Sequence, residues 1–232
     1  MQIKDSTDKL IGRPAQFALF DMDGLLLDTE IIYTQVTQSI VGRFGKTFDW
    51  SIKGNMIGLP AMVAANYLVG ALQLPISAEI YLAERDQLLR AKFPSCKAMP
   101  GAENLIRNLD SHNIPIAVAT SSSRELFQSK TSNHQDWFKL FNIVVTGDDA
   151  EVKQGKPAPD IFNVAAKRLD ANPRNTLVFE DAPSGLAAGI AAGMRVIVVP
   201  DPNMDKSRYR RAERILNSLE EFNPAEFGLL SS

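Results

Sequence analysis

The chain has 232 residues, of which 45 % are apolar and 22 % are charged, with 25 Lys and Arg against 27 Asp and Glu. The length predicts one large domain, or a core that carries a smaller insert. A net charge of −2 argues against the basic surface that a nucleic-acid polymer or an anionic membrane requires. We therefore expect a monomer that acts on a small molecule.

The rarer residues and the N-terminal segment limit the cellular compartment and the kinds of site that we expect. The first eight residues lack the pattern of a secretion signal, and no apolar run approaches the length of a membrane span, so we expect a cytosolic protein. Residues 1–14 are polar and end in Gly12-Arg13-Pro14, so we predict a lead-in without regular secondary structure before the first strand. One cysteine, Cys96, and two histidines, His112 and His134, exclude a disulfide framework and argue against a zinc site.

Five short apolar runs predict β-strands, because they are rich in β-branched or aromatic residues and too short for helices. They lie at Gln16–Asp21, Ile114–Thr120, Asn142–Thr146, Asn175–Glu180 and Met194–Val199. Helical patterns lie between most of them, at Ala102–Asp110, Arg124–Thr131, Pro159–Leu169 and Pro183–Ala192. This alternation predicts an α/β protein with a parallel, Rossmann-like sheet.

The interval between the first two predicted strands is too long for a single crossover helix. It contains helical patterns at Ile31–Phe44, Ala61–Leu72 and Ala78–Phe93. We therefore expect a helical cap at residues 30–94, inserted into a core formed by residues 1–29 and 95–232. Ligands of open α/β sheets bind beyond the carboxyl ends of the strands, so this cap would lie above the binding site.

Acidic residues end the first and fourth predicted strands. Asp21 and Asp23 precede Gly24, and Glu180 and Asp181 close the fourth strand. Each group has a simpler interpretation, the first as a turn and the second as a helix N-cap. If Asp21 and Asp23 instead point into one crevice, their repulsion would raise the pKa of one of them or require a cation between them. Glu180 and Asp181 would then help to bind that cation. Oxygen ligands favour Mg²⁺ over zinc.

Two further polar segments follow predicted strands. Thr120–Ser123 either caps a helix or binds an anion through its hydroxyl and amide groups. Lys156 is by itself an ordinary solvated loop residue. Near the acids, it would instead neutralise a phosphate and an attacking carboxylate.

Together, Asp21-x-Asp23-Gly24, Thr120, Lys156 and Glu180-Asp181 resemble the motifs of the haloacid dehalogenase superfamily. The long interval after the first motif resembles that family's type-1 helical cap. Within the superfamily, the chain is most similar to pseudouridine-5′-phosphatase-like proteins. That similarity lies in Met99–Glu103, Lys130–His134, Gly147–Lys153, Leu177–Gly185 and Asn217–Leu229.

The resemblance implies a Mg²⁺-dependent phosphatase that works through an aspartyl-phosphate. Asp21 would be the nucleophile, and Asp23 would be the general acid and then the general base, with a raised pKa. The phosphoryl oxygens would be held by Thr120, the Ser121 amide and Lys156. The ligands of Mg²⁺ would be Asp21, the Asp23 carbonyl, Asp181 and Glu180.

The substrate implied by the resemblance is a small phosphorylated metabolite, with pseudouridine 5′-phosphate as the first candidate. Another sugar, polyol or nucleotide monophosphate stays open, as do a sugar-phosphate mutase and a receiver-like phospho-aspartate signalling module. Residues 45–62 of the cap are expected to select the substrate. Related mutases carry a cap arginine for a second phosphate, whereas Gly58–Ala61 here has no cation, which favours a phosphatase. Receivers are much shorter and carry no helical lid.

Other conspicuous residues have structural interpretations. Cys96 is expected to be an inert small residue, and His134 and Trp137 to lie in a polar connection. Arg208–Arg211 with Arg214 are expected to form a solvated helix face.

Overall fold

The computed structural model of the protein describes residues 14–57 and 59–230, so most of the predicted lead-in lies outside the described residues. Six parallel strands form one sheet in the order β3-β2-β1-β4-β5-β6. They are β1 (Phe17–Phe20), β2 (Ile116–Ala119), β3 (Ile143–Val145), β4 (Thr176–Glu180), β5 (Arg195–Val198) and β6 (Arg214–Ile215). The predicted α/β fold with a parallel sheet is confirmed.

The central strands are apolar on both faces because helices cover both sides of the sheet. Leu19 and Val178 pack on one side, whereas Phe20 and Phe179 pack on the other. The two phenylalanine rings stack with their centroids 4.5 Å apart. This two-sided burial explains why the strands are continuous apolar runs in the sequence.

Helices cover the sheet and fill the long interval after β1. Residues 30–94 contain α1 (Glu30–Gly42), α2 (Trp50–Met56), α3 (Ala61–Leu72) and α4 (Ala78–Lys92). Further along are α5 (Ala102–Ser111), α6 (Arg124–Thr131), α7 (Gln135–Phe138), α8 (Asp160–Arg168) and α9 (Pro183–Ala191). Among the residues described, no helix has both the length and the apolar character needed to span a bilayer.

The helices α1 to α4 pack on one another and join the sheet through two adjacent segments. Inside this group, the buried hydroxyls of Thr37 in α1 and Tyr81 in α4 are hydrogen-bonded at 2.9 Å. The outgoing and returning segments run side by side, and the amide of Asp28 donates to the carbonyl of Lys97 at 2.8 Å. We propose that residues 30–94 form a cap with these segments at its base.

Some elements differ from the predictions. β6 is not among the predicted strands, because a two-residue strand shows no periodicity. The arginines within Arg208–Arg211 and Arg214 are solvent-exposed as predicted, but they do not form one helix face, since Arg208 lies in a short 3₁₀ helix and Arg214 in β6. The segment predicted as a polar connection contains α7, whose Trp137 is buried. The helix α2 also escapes prediction, and Asp49 caps it by accepting from the Ser51 amide.

Candidate active site

The register of the sheet brings the predicted polar residues to one edge. β1 pairs in parallel with both β2 and β4, so the ends of these three strands are neighbours. Asp21 and Thr120 follow β1 and β2, and Glu180 ends β4. The Asp21 amide donates to the carbonyl of Phe179 at 3.0 Å, which continues the sheet into the site.

Lys156 is the cation at the centre of this edge. Its Nζ lies 2.5 Å from Asp21 Oδ1, 2.6 Å from Glu180 Oε1 and 3.0 Å from the carbonyl oxygen of Ala119. The side chain is only 6 % exposed, so the interpretation as a solvated loop residue is wrong. Burial would lower the pKa of Lys156, but the two carboxylates raise it above its usual range, and the ammonium stays charged.

Three carboxylates converge beside this lysine. Oxygens of Asp21, Glu180 and Asp181 lie within 4.8 Å of one another. Burial raises the pKa of Asp21 to about 7 against the opposing charge of Lys156. Burial, followed by the charges of Glu180 and Asp21, raises the pKa of Asp181 well above its ordinary value. The cluster therefore holds more negative charge than its lysine neutralises.

The cluster fits a divalent cation with oxygen ligands. Among the described residues, no hydrogen-bond donor contacts the carboxylate of Asp181, so its oxygens are available. Its backbone is held by Tyr209, whose hydroxyl donates to the Asp181 carbonyl at 2.7 Å. A Cβ at Gly24, whose φ is +79°, would lie 2.5 Å from Asp181 Oδ2, so glycine leaves room for this carboxylate. Carboxylate oxygens suit Mg²⁺.

Glu180 has partners for both of its carboxylate oxygens. Oε1 accepts from Lys156, and Oε2 accepts from the amides of Asp181 and Ala182 at 3.1 and 3.3 Å. Gly185 makes room for it, because a Cβ there would overlap the carboxylate. Glu180 thus orients Lys156 and the start of α9 whether or not it also contacts a metal.

Asp23 lies in a separate pair beside this cluster. Its Oδ1 accepts from the Lys130 ammonium at 2.5 Å, and its Oδ2 accepts from Ser122 Oγ at 2.8 Å. Burial raises the pKa of Asp23, but the charge and hydrogen bond of Lys130, with further hydrogen bonds, outweigh it and hold the pKa below its ordinary value. The expected raised pKa of Asp23 is therefore wrong for this structure, because the sequence does not reveal Lys130 as its partner.

The polar residues after β2 contact Asp23, line the cavity, or do both. Thr120 is fully buried, and its hydroxyl donates to Asp23 Oδ2 at 3.3 Å and accepts from the Ser122 amide at 3.1 Å. Ser121, Ser122 and Ser123 line the cavity. Ser123 also caps α6, because its hydroxyl oxygen accepts from the amide of Leu126, the third residue of the helix. Anion binding and capping are thus compatible in this segment.

A cavity of about 530 Å³ lies between these groups and the helices α1 to α4. Asp21, Asp23, Lys156 and Asp181 line one side of it. The facing wall carries aromatic and polar groups, which include Tyr33, Thr34, Phe48, Lys53, Tyr81 and Arg85. The predicted site residues and the helices α1 to α4 therefore line the same cavity, so a small ligand in it can contact both groups.

Lys53 supplies a cation on the facing wall. Its Nζ lies 3.0 Å from both Glu30 Oε2 and Thr34 Oγ1, and its side chain is 14 % exposed. Related mutases carry a cap arginine where this sequence has residues 58–61, of which Gly58 lies outside the described residues. Leu59 and Ala61 line the cavity without charge. Because Lys53 lines the cavity from α2, the cavity does contain a cation outside residues 58–61, and the argument against a mutase is weaker.

The match to known families agrees with this arrangement. The family model described as haloacid dehalogenase-like hydrolase matches residues 18–199, which cover all the acidic and basic groups of the site. The chain belongs to the haloacid dehalogenase-like hydrolases. The resemblance predicted from the motif order is confirmed.

Several relatives of this hydrolase carry phosphatase names. The (DL)-glycerol-3-phosphatase 2 of Arabidopsis thaliana is 49 % identical over 216 residues, which cover 91 % of this chain and 90 % of that protein. A probable pseudouridine-5′-phosphatase of Drosophila melanogaster is 42 % identical over 220 residues, with 94 % and 95 % covered. A HAD family hydrolase of Deinococcus radiodurans, solved with bound phosphate and sodium, is 28 % identical with a TM-score of 0.80, covering 94 % of this chain and 98 % of that one.

Two lysines of this hydrolase's site escape sequence analysis. Lys130 occupies the last turn of α6, where a basic residue is ordinary because it complements the helix dipole. The available signal is its spacing from Phe127, which places the lysine on the apolar face of the helix. Lys53 lies within residues 45–62, which are expected to select the substrate, but it stands in α2, a helix that the sequence does not predict, so this particular side chain is not singled out.

Proposed function

We propose that this chain is a Mg²⁺-dependent phosphatase that hydrolyses a small phosphomonoester through an aspartyl-phosphate on Asp21. The observation that carries the proposal is the contact between Asp21 and Lys156 at the edge of the cavity, beside the free carboxylate of Asp181. Phosphoryl transfer needs a positioned nucleophile and compensation of negative charge. The phosphatase names of several relatives support the same reaction class.

The first half-reaction transfers the phosphoryl group to the enzyme. A carboxylate oxygen of Asp21 attacks phosphorus, and the bond between phosphorus and the leaving oxygen breaks. Asp23 is ionised in the substrate-free structure, so it must first take up a proton, which a monoanionic phosphomonoester supplies; it then donates this proton to the leaving oxygen, which departs as an alcohol. Lys156 orients Asp21 and offsets the charge that gathers on the phosphoryl oxygens, which Ser121 and its neighbours bind from the start of α6.

The second half-reaction releases phosphate. Asp23 accepts a proton from water, the water oxygen attacks phosphorus, and the bond to Asp21 breaks. Asp21 thereby returns as a carboxylate beside Lys156. In both steps the helices above the cavity exclude bulk water, which strengthens the charge interactions around the phosphoryl group.

The bound Mg²⁺ would be held by Asp21 and Asp181, with Glu180 and the Asp23 carbonyl as further candidate ligands. When bound, the ion reduces repulsion between the carboxylates and the phosphoryl oxygens and draws charge from phosphorus. The fit rests on formal charge, because the four acids, when ionised, face two lysines, Lys156 and Lys130, which leaves two negative charges for the ion to compensate (4 − 2 = 2).

The substrate has two leading candidates. The sequence motifs favour pseudouridine 5′-phosphate, and the aromatic rings of Tyr33, Phe48 and Tyr81 beside the cavity suit a planar base. Glycerol 3-phosphate is the second candidate, since two glycerol-3-phosphatases of Arabidopsis are 48 % and 49 % identical to this chain.

The test is the release of inorganic phosphate, with Mg²⁺, from both candidates and from a panel of other sugar, polyol and nucleotide monophosphates. We expect catalytic release from at least one compound, and loss of activity in the isosteric control Asp21→Asn. About a tenth or more of the wild-type kcat in that variant would contradict the nucleophile assignment. An isomerised product that needs a bisphosphate activator would instead identify a mutase, and self-phosphorylation without release would identify a signalling module.

A further inference from the structure

Lys130 is a buried cation that the reaction described above does not use. Its side chain is fully buried, its Nζ lies 2.5 Å from Asp23 Oδ1 and 2.9 Å from Ser122 Oγ, and the ring centroid of Phe93 lies 4.4 Å from the ammonium. A buried ammonium destabilises a fold unless it is paired and hydrogen-bonded. Asp23 and Ser122 provide this compensation, so the lysine and the carboxylate form one structural unit.

The unit restrains both oxygens of the Asp23 carboxylate. Oδ1 is bound to Lys130, whereas Oδ2 accepts from Ser122 at 2.8 Å and from Thr120 at 3.3 Å. Because Lys130 also donates to Ser122, the three side chains form a closed ring of hydrogen bonds. Such a ring leaves the carboxylate little freedom to rotate about its side-chain torsions.

Lys130 acts on the site from outside the cavity. Asp23 and Ser122 line the cavity wall, but Lys130 is not one of the lining residues and so would not touch a substrate. Its own placement is fixed from the far side, where Cys96 Sγ contacts its carbonyl oxygen at 3.2 Å and Phe93 covers its ammonium. Both residues belong to the segment that returns from α4 to the sheet.

We propose that Lys130 is a positioning residue that holds the carboxyl group of Asp23 in the orientation from which it exchanges a proton with the leaving oxygen. This inference rests on the proposed function, because it assumes that Asp23 performs proton transfer. It assigns the lysine a role in the geometry of catalysis and none in substrate binding.

The test compares leaving groups, since only a poor leaving group needs its proton during bond cleavage. The variant Lys130→Met keeps the length of the side chain and removes the donors. On the best alkyl phosphomonoester of the panel, we expect kcat/KM to fall by about 10–100-fold, because general acid catalysis contributes roughly 10²–10⁴-fold and is only partly lost. On p-nitrophenyl phosphate, whose leaving group departs as a stable anion, we expect a change of less than about threefold.

Two controls keep the result interpretable. Lys167→Met removes an exposed lysine of α8 and should leave both rates unchanged. Ser122→Ala keeps the ammonium but opens the hydrogen-bonded ring, and should give a smaller loss with the same preference for the aryl substrate. This second variant tests the proposal if Lys130→Met fails to fold. Equal losses on the two substrates in the folded variants would overturn it.

Asp23→Asn separates this inference from the proposed function. If Asp23→Asn lowers kcat/KM equally on the alkyl and the aryl substrate, the general-acid role of Asp23 in the proposed function fails. If Asp23→Asn selectively impairs the alkyl substrate while Lys130→Met does not, the proposed function stands and the positioning role of Lys130 is wrong.

Discussion

The ammonium of Lys156 lies 2.5 Å from Asp21 Oδ1 although the two residues are 135 positions apart in the sequence. Lys156 is also the partner of Glu180, and all three side chains are buried. Its loss would leave two buried carboxylates without their compensating charge. Stability and activity thus depend on the same contact.

We predict that Lys156→Met lowers the free energy of unfolding by about 3–5 kcal/mol in the metal-free protein, because removing one partner of a buried ion pair leaves an uncompensated charge. Phosphate release should fall to background, since Asp21 loses its orienting donor. Urea unfolding measures the first effect. The surface control Lys167→Met should stay within about 0.5 kcal/mol of wild type. Equal stability of the two variants would contradict the structural role of Lys156.

Metal binding should release protons. In the metal-free protein burial raises the pKa of Asp21 to about 7, so this carboxyl group is partly protonated near neutrality, and the pKa of the neighbouring Asp181 is also raised. Mg²⁺ binds the ionised carboxylates, so its binding should release roughly one proton per ion near pH 7, and its affinity should fall as the pH drops below 7. Calorimetric titrations in buffers of different protonation enthalpy measure this release, which should decrease in Asp21→Asn. A binding enthalpy independent of the buffer would count against the shifted pKa values.

The single thiol should be unreactive in the folded protein. Cys96 is buried, and burial raises the pKa of its thiol to about 11. At pH 8 the thiolate fraction is then on the order of 10⁻³, and the sulfur is also shielded from reagents. We expect Ellman's reagent to react very slowly with the native chain and to detect one thiol promptly in urea. Rapid labelling of the native protein would show that Cys96 is accessible.

Lys53 should contribute to substrate binding more than to the chemical steps. It lines the cavity from α2, where its ammonium pairs with Glu30. We predict that Lys53→Met raises KM about 10–100-fold, as expected for the loss of a charge-assisted hydrogen bond, with kcat within about threefold. The matched control is Lys92→Met, which removes an exposed lysine of α4. A fall in kcat at unchanged KM would place the effect of Lys53 in the reaction instead.

The sequence predicts the sheet and most of the site because these depend on local patterns. Residues such as Asp21 and Glu180 end short apolar runs, and parallel strands bring such ends to one edge. Thr120 directly follows another such run, whereas Lys156 is assigned to the site only by the resemblance to the haloacid dehalogenase motifs. The cytosolic location and the monomeric state stay predictions.

The sequence does not predict what depends on contacts between distant side chains. Lys130 is an ordinary helix-terminal lysine until the structure places it on Asp23, 107 positions away, where it reverses the expected direction of the pKa shift. The side chain of Lys53 likewise lines the cavity only because α2 packs above it. β6 is too short for any periodicity, and its pairing depends on β5.

The most direct test of the proposed mechanism is to look for a phosphoryl group on Asp21 itself. The enzyme is quenched in acid during turnover, digested, and its peptides are analysed by mass spectrometry. We predict one phosphoryl group on the peptide that contains Asp21, more of it in Asp23→Asn because hydrolysis of the intermediate slows, and none in Asp21→Asn. Turnover by wild type and by Asp23→Asn without any phosphorylated peptide would contradict the covalent mechanism.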